Sequence, residues 1–85
     1  MTYKLAPHVT AEMLEEVGFE YHYDDDVKRI TSYCRESVCM GNELMVAWEK
    51  NCAYEKGTIT MRFNNPPVLL DDVKDLIEKG YVIEE

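Results

Sequence analysis

Residues 9–23 read VTAEMLEEVGFEYHY, and the hydrophobic period changes inside this stretch from helical to alternating. Thr10 is a strong N-cap for a helix over Ala11–Val17, because its hydroxyl can accept from an otherwise unpaired amide of the first turn. Val9 before the cap and Leu14 four residues after it are spaced to form a hydrophobic staple. Gly18 falls where a left-handed residue closes a helix, and Phe19 behind it is placed to pack on Leu14 in a Schellman ending. Beyond the glycine, Phe19, Tyr21 and Tyr23 alternate with Glu20 and His22. That alternation predicts a strand with an aromatic inner face.

Outward from this stretch the chain continues in short strands. Asp24-Asp25-Asp26 ends the first, since aspartate is poor in strands and good in turns. A second strand is expected over Val27–Cys34, and a short third near Ser37–Met40, with Gly41-Asn42 as a hairpin turn. Glu43–Glu49 gives the clearest pattern: Leu44, Val46 and Trp48 share one face and are expected in the core. Asn51–Gly57 either extends this strand or forms a loop, with Glu55-Lys56-Gly57 as the turn itself. Thr58–Phe63 follows, with Ile59, Met61 and Phe63 inward. Were Leu44–Tyr54 one regular strand, pairing Tyr54 with Thr58 would put Ile59 on the wrong face relative to Trp48. A β-bulge near Lys50–Cys52 would restore the register.

Asn64-Asn65-Pro66-Pro67 stops the sheet, because proline cannot donate to a ladder. A second helix starts near Asp71, where Val73, Leu76 and Ile77 form an apolar stripe and Asp75 and Lys79 a favourable pair. Gly80 ends it, with Tyr81 placed to pack on Leu76, and Tyr81-Val82-Ile83 is an apolar tail that docks or adds an edge strand. The elements predict an α+β fold: a short N-terminal helix, an antiparallel sheet of about four to five strands, and a C-terminal helix packed on one face. At 85 residues the chain has room for one domain, residues 1–85, with a thin stability margin.

Charge narrows the functional classes. The formal net charge is −8, unevenly spread. Residues 1–26 hold seven acids and one base, residues 27–69 four acids and six bases, and residues 70–85 six acids and two bases. A nucleic-acid binder needs a cationic stripe to displace counterions from phosphate, and none is present. An anionic membrane surface would repel the chain as well. No signal-peptide pattern appears at Met1–Pro7, and the longest apolar run, Leu44–Trp48, is far short of the ~20 residues that span a bilayer. The expected location is the cytoplasm. Six tyrosines, each with a large ring and a hydroxyl that needs a partner or water, suit a contact surface.

The chemistry-bearing residues do not assemble a reaction. Cys34, Cys39 and Cys52 are an odd number without a CxxC pair, which fits reduced thiols better than a disulfide framework. A zinc site from these three and His22 would lack the tight ligand pairs that short structural sites use. A catalytic thiol would need a neighbouring base, and His8 and His22 have no evident link to a cysteine. The Asp24–Asp26 run reads as a solvated turn rather than a cation site, because consecutive carboxylates point in different directions. The four glycines have turn or cap roles, and no phosphate loop occurs. No cofactor is implied, and the chain is expected not to be an enzyme.

Four segments in order, VTAEMLEEVGFEY, LMVAWE, MRF and VKDLIEKG, resemble small uncharacterised proteins of bacteriophages and gut-bacterial mobile elements. The segment Cys34–Cys52 and the Pro66-Pro67 linker depart from that resemblance. The resemblance implies a phage or mobile-element setting, where small acidic proteins often inhibit a host defence protein, and it transfers no catalytic residue. Residue chemistry and resemblance together lead to one expectation: a non-enzymatic module that binds a basic protein surface through Glu12, Glu15, Glu16, Glu20, Asp24, Asp25 and Asp26. The competing expectation is a small structural or ligand- or metal-binding domain that uses Cys34, Cys39 and Cys52.

Overall fold

A computed structural model of the chain describes residues 2–51 and 53–85. Thr10 caps the first helix, α1 (Ala11–Glu16), as the sequence predicts: its Oγ1 accepts from the Met13 amide at 3.3 Å. Gly18 takes φ +94°, and the amides of Gly18 and Phe19 donate back to the carbonyls of Glu15 and Leu14. This is the Schellman pair of bonds. The second helix, α2 (Leu70–Glu78), ends the same way, with Gly80 and Tyr81 donating to Ile77 and Leu76.

Between the helices lie β2 (Glu20–Asp24), β3 (Arg29–Glu36), β4 (Glu43–Ala47) and β5 (Ile59–Met61). They form an antiparallel sheet in chain order. A second, two-stranded antiparallel ribbon joins β1 (Tyr3–Leu5) to β6 (Val82–Glu84). The fold is therefore α+β. The apolar tail does become a strand, but its partner β1 has too short an apolar pattern to be seen in the sequence. β1 also touches the main sheet beside β5, through a Lys4–Thr58 bridge and the Leu5 amide donating to the Gly57 carbonyl at 2.8 Å.

The core lies between the sheet and the helices. Tyr33, Leu44, Val46, Ile59 and Met61 cover it from the sheet, Leu14 from α1, Val73 and Leu76 from α2. The pairing of Leu44 with Met61 and Val46 with Ile59 confirms the inward faces read from β4 and β5.

Four expectations about the core and its loops fail, each for a physical reason. No strand forms over Ser37–Met40. Ser37 Oγ and the Val38 amide both donate to the Asp72 carboxylate of α2 at 2.9 Å, which pins this segment as a loop. Trp48 lies beyond the end of β4 and is half-buried, its ring edge-on to Tyr33 at 4.9 Å. The bulge considered near Lys50–Cys52 falls partly outside the described residues, since Cys52 is not among them. β4 ends at Ala47, which is tied to Gly57 and Thr58. A register shift does occur between β2 and β3, at His22/Tyr23. Phe63 is 43% exposed, because Asn42 intercepts its backbone: Asn42 Nδ2 donates to the Phe63 carbonyl and the Phe63 amide donates to Asn42 Oδ1. That exchange closes β5 at Met61. Lastly, Asp75 does not pair with Lys79; Arg35 takes its carboxylate.

Candidate functional site

The aromatic inner face expected for β2 is the correction that bears on function. Only Phe19 is buried; Tyr21 is 58% and Tyr23 48% exposed. β2 is the outer strand of the four-stranded sheet, with β3 on one side and, among the described residues, no strand on the other. Tyr21 stands opposite Tyr33 on the helix-facing side, but a strand at the edge has neighbours on one flank only, so its rings overhang the core instead of entering it. The unpaired flank also presents backbone amides and carbonyls.

Four of the seven carboxylates lie on β2 or its turn, and three lie on α1, the helix that leads into it. Glu12, Glu15 and Glu16 lie on α1 at spacings of three and four residues, so they share a face, and all are exposed. Glu20 opens β2 and is exposed. Asp24 closes it and is half-buried, because its Oδ1 accepts from the Asp26 and Val27 amides and folds the hairpin turn to β3. Asp25 and Asp26 stand exposed at the tip. The helix and the strand meet at Tyr33. Burial pushes the Tyr33 hydroxyl above its usual range, and the negative charges of Glu15 and of the ionised Tyr21 hydroxyl push it further. The surface therefore joins two aromatic rings, an open strand edge and six exposed acids. Acidity was legible in the sequence. The tyrosines' exposure was not, because alternation looks the same in a central strand and an edge strand.

The cysteines are not brought together. Cys34 is buried on the sheet face away from the helices, opposite Glu20 and Met45. Cys39 packs against the helix-side core from the loop after β3. Cys52 lies outside the described residues. Among the described residues no group of three or more His, Cys, Asp or Glu could hold a metal ion. His22 shares the outer face with Cys34, at a diagonal position on the neighbouring strand. The thiol is held protonated, however: burial pushes it above its usual range and Glu43 adds to this, with Arg62 and a Ser32 hydrogen bond opposing. An attacking thiolate needs the opposite shift.

One charged constellation was missed altogether. Arg35 reaches from the helix-facing side of β3 under both helices. It donates to the Val17 carbonyl at the end of α1, to the Asp72 carbonyl, and to both oxygens of Asp75 at 2.9 and 2.8 Å, with its guanidinium 4.9 Å from the Phe19 ring. The hydrogen bonds from Arg35, and then its charge, hold the Asp75 carboxyl below the usual carboxylate range against the opposing effect of burial. The constellation is closed on itself and belongs to the architecture. Among the described residues no helix is long and apolar enough to cross a membrane. Comparison with protein-family models, with curated proteins and with solved structures returned no match for this chain.

Proposed function

We propose that the chain is a non-enzymatic binding module that presents the β2 edge and its surrounding carboxylates to a basic protein surface. The observation that carries this reading is the exposure of Tyr21 and Tyr23 on an unpaired strand edge within the most acidic part of the chain. An edge strand adds a partner strand through backbone hydrogen bonds, while alternate side chains supply selectivity. Aromatic rings supply contact area at small entropic cost, and the carboxylates select cationic partners and speed their encounter.

The same surface disfavours a second copy of itself. In an antiparallel self-pairing centred on His22, Glu20 of one copy would face Asp24 of the other, and like charges directly opposite are destabilising. A basic extended segment meets no such penalty. In the phage or mobile-element setting that the sequence resembles, this partner would be a host defence or nucleic-acid-handling protein, met in the cytoplasm and inhibited when its basic surface is covered.

The test is to isolate a complex from bacterial host lysate, rebuild it from purified components and measure its kinetics. Changing Asp24, Asp25 and Asp26 together to Asn should slow association and flatten its salt dependence. Tyr21→Ala with Tyr23→Ala should speed dissociation. A complex whose rates ignore salt and both sets of substitutions would end this reading.

A further inference from the structure

A concave surface lies elsewhere on the molecule, lined by none of the residues of the acidic edge. It is a cleft of about 510 Å³ between the β1–β6 ribbon and Trp48, Lys56 and Gly57. That volume is in the range of small-ligand sites, which favour the junctions between structural units. Leu5, Ala6 and Val9 form a buried apolar floor. Ile83, 46% exposed, and the half-buried Trp48 form apolar walls that the fold leaves open.

Two lysines stand at the rim. Lys4 makes a long contact of 3.9 Å with the Glu85 carboxylate, which also lines the cleft. Lys56 has no carboxylate within ion-pair distance among the described residues; its ammonium rests 5.1 Å from the Trp48 ring centroid. The local charge of the rim is thus positive in a chain of net charge −8. The floor is anchored to the main sheet. Gly57, at φ +91°, donates its amide to the Ala47 carbonyl at 2.7 Å and accepts from the Leu5 amide at 2.8 Å. A side chain at that φ would be strained, so glycine lets one residue join β1 to the end of β4 beneath the cleft.

We infer that this cleft binds a small amphipathic anion, with an apolar body on Leu5, Val9, Ile83 and the Trp48 ring and an anionic head on Lys56. Charge complementarity favours an anion, because a cation would meet Lys4 and Lys56 with only Glu85 to offset them. A purely apolar molecule would leave the Lys56 ammonium without a counter-charge.

The probes are 4-phenylbutyrate and 4-phenylbutylamine, which share a body and differ in the sign of the head. Trp48 is the single tryptophan of the chain, so its emission reports on the cleft, and amide chemical shifts map the contact. The butyrate should saturate with shifts centred on Leu5, Val9, Gly57 and Ile83, and bind at least about ten-fold more tightly than the amine. Lys56→Glu, at an exposed position, should abolish that preference without altering the fold. Equal binding of the two probes, no saturable binding of either, shifts centred elsewhere, or a Lys56→Glu variant that keeps the preference would each overturn the inference.

Discussion

The acidic edge and the Arg35 clasp use the same side chain, a carboxylate, to opposite ends. Around β2 six acids stand exposed, and the half-buried seventh, Asp24, is spent on its own turn. At the clasp, Asp75 holds Arg35 through two hydrogen bonds, and Asp72, 4% exposed, staples the loop after β3 to the start of α2. Carboxylates hydrogen-bonded across elements carry the fold, whether buried like Asp72 or half-exposed like Asp75, whereas clustered solvent-facing carboxylates repel one another and add nothing to it. The contrast shows why charge counts along a sequence do not locate function. The segment of largest net charge keeps six of its seven acids in solvent, and the acids of the clasp sit in a segment whose net charge is smaller.

That contrast can be broken by substitution. Arg35→Ala should have the largest effect, a loss of about 3 kcal/mol in urea unfolding, mainly because the part-buried Val17 and Asp72 carbonyls lose their donor. The half-exposed ion pair to Asp75 adds little to this figure, since solvent screens it. A loss no greater than that of an ordinary surface substitution would show that the clasp is not structural.

A smaller effect is expected from pH. The lowered Asp75 carboxyl contributes stability at pH values above its unfolded value of about 3.9, and that contribution is lost as the pH falls through the lowered folded value. Asp75→Asn should therefore be slightly less stable than the parent chain near neutrality, by ~1 kcal/mol or less. The difference should shrink on acidification below about pH 4. A gap that stays constant across the acid limb would assign the stabilisation to hydrogen bonds alone.

The smallest effect belongs to the edge. Asn at positions 24, 25 and 26 retains the side-chain oxygen that folds the turn, so unfolding free energy should change by less than ~0.5 kcal/mol even as three charges disappear. A large destabilisation would mean that the edge carboxylates serve the fold and would erase the distinction between the two regions.

The sequence by itself determined what depends on neighbours within one helical turn or on strict alternation. Thr10, Gly18 and Gly80 bound both helices, and the inward faces of β4 and β5 follow from Leu44, Val46, Ile59 and Met61, because a cap or a pleat is specified by residues a few positions apart. Seven acids were visible for the same reason: charge needs no partner to be counted. Tertiary structure alone decided which strand stands at the edge, and so whether Tyr21 and Tyr23 are core or surface. It also decided that Arg35 turns inward to Asp75, that Asp72 abolishes the strand expected at Ser37–Met40, and that Trp48 lines a cleft. Each of these outcomes depends on segments that meet only after folding, between 15 and 40 positions apart for the Arg35, Asp72 and Trp48 contacts. Local periodicity carries no information about such partners, since the same alternating pattern satisfies a strand with one neighbour or with two.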